Sequence, residues 1–173
     1  MPQSVVCITK AVSQAESIVD ALKIAGFPNS EISVLLPDRE GTKDFAHDNS
    51  TKAPEGAVTG ATSGGAIGGI LGWLAGIGSL AIPGAGPFIA AGPIMAALSG
   101  AAAGAALGGV TGALIGMGIP EYEAKMYDGK IRDGNILIAA HSEDKDMLKR
   151  AEETMKQFQA SDIHRVGEAA VKK

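Results

Sequence analysis

The chain contains GAVTGATSGGAIGGILGWLAG at residues 56–76 and GAAAGAALGGVTGALIG at residues 100–116, two stretches in which glycine returns at every fourth position. Residues four apart lie on one face of a helix, so each stretch predicts a helix with a stripe of bare backbone. Such stripes let a second helix approach closely. The predicted helix-packing residues are the glycines of the two stripes: Gly56, Gly60, Gly64, Gly68, Gly72, Gly76, Gly100, Gly104, Gly108, Gly112 and Gly116.

The segment that contains both stripes, residues 56–120, has no Asp, Glu, Lys, Arg or His. Between the stripes, Pro83, Pro87 and Pro93 interrupt any helix. The segment therefore predicts an apolar glycine-zipper helical hairpin, with helices over about residues 57–80 and 94–117. Each helix is long enough to cross a hydrocarbon layer of about 30 Å.

The number of glycines calls for a special environment, because each one inside a helix costs about 1 kcal/mol relative to alanine. Lipid forces a helix, since unsatisfied backbone groups there cost several kcal/mol each. Close helix contacts in an oligomer compensate through dispersion. We therefore expect a homo-oligomer with hairpins in or on a lipid bilayer. The alternative is a soluble, self-assembling particle or ring that buries the hairpins in its core.

Basic residues flank the apolar segment on both sides. Lys43 and Lys52 precede it, and Lys125, Lys130 and Arg132 follow it. Basic flanks are typical of the cytoplasmic side of a membrane. The expected location is the membrane with cytoplasmic termini, and the alternative location is the cytoplasm.

The charged regions on either side each alternate strands and helices. Before the apolar segment, apolar runs at residues 5–9 and 32–36 predict two strands, and the helix between them ends at Gly26. After the segment, the pattern predicts a helix over 121–132, a strand at 136–140, a helix over about 145–159 and a strand at 162–166. The fold class is therefore predicted as α+β, a ferredoxin-like split β-α-β domain interrupted by the glycine-zipper hairpin. In that fold the first and third strands are central and the second and fourth strands are edges. The continuous apolar runs of the first and third strands agree with this, and His164 and Arg165 suit an exposed last strand.

These elements divide the chain into five parts. They are the first half of the ferredoxin-like domain at 1–37, a linker at 38–55, the hairpin at 56–120, the second half of the domain at 121–166 and a tail at 167–173. Within the second half, Tyr122, Met126 and Tyr127 are predicted to point inward, and Ser142 is predicted to cap the helix that follows it. In the first half, Ser13 and Glu16 predict a capping box.

The N-terminal region resembles a known family. A strand, then Ala15-Glu16, Leu22, Ala25-Gly26-Phe27 and Ile32-Ser33-Val34, is similar to the bacterial heat-induced general stress protein domain (YflT-like, 17M-like). Residues 81–87 and 118–121 resemble segments of small bacterial proteins that join a glycine zipper to this domain. The resemblance implies a stress-associated bacterial protein, and it implies no catalytic residues.

The remaining residues predict no enzyme. His47, His141 and His164 have no second ligand at metal spacing, and the single cysteine, Cys7, lies in an apolar run. We therefore expect no catalytic residue, no metal and no cofactor. A net charge of -4 argues against nucleic acid as a partner. A further alternative is a regulatory module that binds a small ligand at its sheet, although a fold alone does not establish this.

Overall fold

Two apolar runs, residues 5–8 and 136–140, form neighbouring strands inside one antiparallel sheet. The computed structural model describes residues 3–37, 78–82, 86–95, 97–98 and 109–167. The strands are β1 (Gln3–Thr9), β2 (Ile32–Pro37), β3 (Gly78–Ile82), β4 (Gly86–Ala91), β5 (Ile136–Ser142) and β6 (Ser161–Val166). The α-helices are α1 (Val12–Ile24), α2 (Val110–Gly116), α3 (Glu121–Arg132) and α4 (Lys145–Gln157), and residues 93–95 and 97–98 are also helical. The protein therefore belongs to the α+β class.

The six strands follow the order β3-β4-β2-β5-β1-β6, and the neighbouring strands pair antiparallel. As the sequence predicts, β1 and β5 lie inside the sheet and β6 lies at its edge. The prediction that β2 is an edge strand is wrong, because Val34 to Pro37 of β2 pair with Phe88 to Ala91 of β4.

Helices cover both faces of the sheet. On one face, α1 and α4 bury a core that includes Val5, Ile18 and Leu148. On the other face, α2, α3 and residues 94–95 and 97–98 bury a second core that includes Leu35, Leu114 and Tyr127. Coverage on both sides explains why the inner strands are continuously apolar rather than alternating.

Two helices end where the sequence predicts. Gly26 and Gly134 adopt φ angles of +101° and +96°, and the amides after them, of Phe27 and Asn135, donate to carbonyls in the last turns of α1 and α3. Glycine takes this left-handed conformation without the penalty that a Cβ brings.

The predicted helix starts need correction. No side chain caps α1, whose first turn follows Ala11, so the capping box of Ser13 and Glu16 is absent. Asp144 caps α4 by accepting the amide of Asp146, and Ser142 accepts the amide of Asp144 instead.

The inward positions of α3 are also partly corrected. Tyr127 is buried as predicted and Met126 is partly buried, but Tyr122 is 82% exposed. The inward stripe consists of Ala124, Tyr127 and Ile131, spaced by three and four residues.

The predicted helical hairpin agrees with the structure only in part, because residues 94–95, 97–98 and 110–116 of the second predicted helix are helical. Residues 78–80 are strand rather than helix, and the connection expected between the two helices contributes residues 81–82 and 86–91 to the paired strands β3 and β4. The second predicted helix is not continuous through Gly109, whose φ of +90° and ψ of -157° lie outside the helical region. The strands have a physical reason: residues 88–91 are buried on both faces of the sheet, as an apolar run without glycine favours.

Candidate functional site

The predicted packing glycines fall into two groups. Nine lie outside the described residues: Gly56, Gly60, Gly64, Gly68, Gly72, Gly76, Gly100, Gly104 and Gly108. The other two, Gly112 and Gly116, lie on α2 and are one turn apart on the same side of the helix. The structure therefore describes only the C-terminal end of the second predicted stripe.

Helix α2 has a buried side and an open side. Val110, Ala113 and Leu114 are buried in the core, whereas Gly112 is half-buried and Gly116 is exposed. A Cβ added at Gly116 would meet no atom within 4 Å. Alanine would therefore fit at this position and would favour the helix. Packing around Gly116 in the described part of the chain gives no reason for a glycine.

Hydrogen bonds at the C-terminal end of α2 and one side-chain contact hold the helix in place. After the helix, Gly118 has a φ of +88°, and the amide of Ile119 donates to the carbonyl of Leu114 over 3.0 Å. The hydroxyl of Thr111 donates to Oδ2 of Asp128 on α3 over 3.1 Å. The open side of α2 is thus presented in a fixed orientation.

A buried polar network ties the start of the segment after β4 to the sheet. The amide of Ile94 donates to Oγ of Ser33 over 3.0 Å, and this Oγ lies 2.8 Å from Nε2 of His141. A neutral imidazole whose Nε2 accepts the Ser33 proton satisfies all three groups. Burial lowers the pKa of His141 from 6.5 to about 4, which keeps the ring neutral at pH 7.

A serine beside a histidine also occurs in hydrolases, where the histidine activates the hydroxyl as a nucleophile. Here Ser33 has 0% exposure, and the backbone of Gly92 packs directly on β2 beside it. A substrate has no path to Oγ in this arrangement, so we interpret the network as structural. Sequence reasoning missed it, although a serine within the apolar run of β2 was a signal, because a buried hydroxyl needs a partner.

A second polar cluster fastens the edge strand β6 to α3. The hydroxyl of Tyr127 donates to the carbonyl of Asp162 over 2.9 Å, and Lys130 pairs with the Asp162 carboxylate. Nδ1 of His164 lies 3.7 Å from Oε1 of Glu123, and its ring meets Tyr127 edge-on with centroids 6.2 Å apart. Desolvation, then the nearby carboxylates, raise the pKa of Tyr127, so the phenol stays protonated and donating.

Neither cluster gathers metal ligands. Within the part of the chain that the structure describes, no three His, Cys, Asp or Glu side chains converge on a point that could hold a metal ion. His47 lies outside that part. His141 and His164 each serve a polar network instead.

Cys7 is expected to be unreactive in the folded protein. Its thiol is fully buried on β1, and desolvation raises its pKa to about 12, so almost no thiolate forms at neutral pH. Mixed with a thiol-specific chromogenic disulfide at pH 8, the native protein should react at least a hundredfold more slowly than the same protein in 6 M guanidinium (about the ratio expected for a closed core). Equal rates would contradict the burial of Cys7.

The described helices are short, and the chain has no match among known proteins. None of the described helices is both long and apolar enough to cross a membrane. No protein family model matches the chain, and neither a characterised protein nor a solved structure matches it.

Proposed function

We propose that this is a non-enzymatic protein that self-assembles through its glycine-spaced helices. The observation that carries the proposal is the open side of α2, where Gly116 is exposed and next to empty space while the opposite side is buried. A smooth, uncharged helix surface is complementary to another such surface. The chain itself supplies one, so the partner we propose is a second copy.

The sheet supports a ferredoxin-like arrangement for the domain that carries these helices. Strands β2-β5-β1-β6 are adjacent in this order and antiparallel, and α1 and α4 lie together on one face. Two split β-α-β units produce this layout. We propose that β3, β4 and α2 belong to an insert between the units, and that the insert and α3 cover the second face.

The strand pairing favours a soluble assembly over a hairpin that spans a bilayer. A spanning hairpin would carry the residues between its two helices, 81–93, away from the domain to the far side of the membrane. Instead, β3 and β4 extend the same sheet as β2. The polypeptide that leaves the sheet after Pro37 therefore rejoins the same sheet at Gly78.

Membrane association is the second candidate, and one observation favours it. Residues 56–120 contain no charged side chain, and the surfaces of soluble proteins rarely include an uncharged segment of this length. Binding of the purified protein to lipid vesicles in a flotation assay would support it, and recovery of all protein in the lipid-free fraction would exclude it.

A stress-associated role in bacteria rests on the resemblance of the N-terminal region, and a rise in the protein's level after heat shock would support it.

If the protein self-assembles as proposed, it forms a particle larger than one chain. Purified without detergent, the protein should sediment at a multiple of 17.5 kDa. Gly116→Leu places a branched side chain on the open side of α2, where it fits the monomer but blocks a close helix contact. We expect it to weaken self-association at least tenfold, and Gly108→Leu should act in the same way.

The matched control is Gly167→Leu, which adds the same side chain after β6, where a Cβ would meet only the side chain of Gln3 at 4.0 Å. This variant should assemble like the wild type. A wild-type mass of 17.5 kDa at every concentration would overturn the proposal. So would an unchanged mass of both the Gly116→Leu and the Gly108→Leu proteins.

A further inference from the structure

The segment after β4, residues 92–95 and 97–98, is held against the sheet by apolar packing and by a hydrogen bond. Ile94 and Leu98 are buried in the second core, and Met95 is partly buried against it. The amide of Ile94 donates to Oγ of Ser33, a residue of β2 that has no exposure to solvent. The attachment of the segment therefore depends on a hydroxyl that also contacts His141.

This network accommodates a neutral His141 but not a charged one. Because Oγ of Ser33 accepts the amide of Ile94, the hydroxyl still has its own proton to donate. Nε2 of the neutral ring, 2.8 Å away, accepts that proton. An imidazolium carries a proton on both nitrogens, so protonation removes the acceptor and leaves two donors facing each other in a buried place.

The surroundings of His141 offer no charge that would stabilise an imidazolium. Strands β1, β2, β4 and β5 and the segment after β4 contain no Asp, Glu, Lys or Arg. The other titratable side chains on or next to the elements of this face are Cys7, Glu31, Glu123, Tyr127, Glu143 and His164. None of them contributes to the pKa of His141, which burial alone lowers.

Gly92 provides a hinge between β4 and the segment. It follows Ala91, the last residue of β4 that pairs with β2, and its φ of +83° lies in the region that favours glycine. Rotation of the backbone at Gly92 would move Ile94 away from Ser33 and admit water to the network. Strand β4 would keep its partners β2 and β3 during this movement.

We infer that acid opens the fold at this hinge: protonation of His141 releases the segment after β4 from β2, while the strands stay paired. The movement uncovers the apolar side chains of Ile94 and Leu98, so the protein presents more apolar surface in acid than at neutral pH. This device goes beyond the proposed function, because it needs neither a second copy nor the exposed glycine of α2.

The size of the effect follows from the two protonation equilibria of His141. Its pKa is about 4 in the closed form and 6.5 for a solvated ring, so the open form binds a proton that the closed form excludes. Opening therefore becomes more favourable as the pH falls. The equilibrium constant for opening should rise about twentyfold from pH 7 to pH 5, and about a hundredfold from pH 7 to pH 4.

Hydrogen exchange of the full-length wild type, followed by mass spectrometry of peptic fragments, measures this opening. The fragment that contains Ile94 reports on the segment, and the fragment that contains Ile138, which pairs with both β1 and β2, reports on the sheet. Division of each rate by that of an unstructured peptide at the same pH gives the equilibrium constant for opening. From pH 7 to pH 5 this constant should rise about twentyfold for the segment.

Low concentrations of urea at pH 5 separate local opening from unfolding of the whole domain. Release of a short segment exposes little surface, so exchange at Ile94 should depend only weakly on urea. Exchange at Ile138 requires the sheet to open and should accelerate steeply with urea. An equal opening constant and an equal urea dependence at the two sites would overturn the inference, because the segment would then open only with the whole fold.

Two histidine variants identify the group that takes the proton. In His141→Gln the amide accepts the Ser33 proton and cannot be protonated, so the opening constant of the segment should change by less than about twofold from pH 7 to pH 5. The matched control is His164→Gln, which removes the histidine beside Glu123 and should keep the full rise. A full rise in His141→Gln would contradict the inference. So would a wild-type constant that does not change with pH, since the ring would then take its proton without moving the segment.

Discussion

Gly92→Ala is expected to destabilise the fold by about 2–5 kcal/mol, which is a large part of the stability of an ordinary domain. Gly92 follows β4 with a φ of +83°, and an added Cβ would lie 1.9 Å from the carbonyl oxygen of Ile32 and 2.9 Å from Cα of Ser33. Both are backbone atoms of β2, so a change of side-chain rotamer cannot relieve the clash. Alanine would also resist the left-handed conformation.

The effect should extend beyond the substituted residue. To make room, the chain after β4 must move away from β2, and the hydrogen bond from the Ile94 amide to Ser33 must lengthen or break. The pairing of Val34 with Ala91, one residue before Gly92, should also weaken. Amide hydrogen exchange should therefore accelerate at residues 88–94 more than in β1.

Urea unfolding followed by circular dichroism, at one fixed protein concentration, measures the loss of stability. Gly129→Ala is the matched control, because it adds the same methyl group inside a helix where a Cβ meets nothing. It should leave stability unchanged or raise it by up to about 1 kcal/mol. A Gly92→Ala protein with the wild-type midpoint would show that this backbone approach does not exist in solution.

The central strands could be predicted from the sequence because their signals are local. Residues 5–8 and 136–140 are continuous apolar runs, and both are buried between two helical layers. Gly26 and Gly134 stop their helices through conformations that glycine alone adopts easily. Polar residues at 164 and 165 marked the edge, where β6 lies.

The strands β3 and β4 could not be predicted in the same way. A four-residue glycine period favours a helix within its own stretch, but it does not determine the structure of the residues that follow. The pairing of β4 with β2 joins residues separated by more than fifty positions along the chain, as between Pro37 and Phe88. Nothing in either strand alone specifies such a partner, since register depends on which surfaces remain to be covered.

Helix α3 shows a different limit of prediction from the sequence. Aromatic residues tend to be buried, so Tyr122 and Tyr127 were both predicted to point inward. They are five positions apart and cannot share one face of a helix, and only Tyr127 lies on the side with Ala124 and Ile131. Choosing between them required knowing which side of α3 meets the sheet, which depends on tertiary packing.

The Ser33–His141 network has the same non-local origin and gives the second large expected effect. His141 is mostly buried, and desolvation lowers its pKa from 6.5 in the unfolded chain to about 4 in the folded protein. Between these values the unfolded state binds a proton and the folded state does not, so stability falls as the pH falls. One pKa unit corresponds to about 1.4 kcal/mol, so the fold should lose about 2 kcal/mol between pH 7 and pH 5, and about 3 kcal/mol by pH 4.

Urea unfolding of the wild type and of His141→Gln at pH 7, 6 and 5 isolates this contribution. Glutamine keeps an acceptor for the Ser33 hydroxyl at the position of Nε2 but cannot be protonated in this range. The difference in stability between the two proteins should therefore shrink by about 2 kcal/mol from pH 7 to pH 5. Carboxylates with lowered pKa, such as Glu152, act at lower pH and equally in both proteins. A constant difference across this range, or an NMR titration of His141 with a midpoint near 6.5, would mean that the ring is solvated rather than buried.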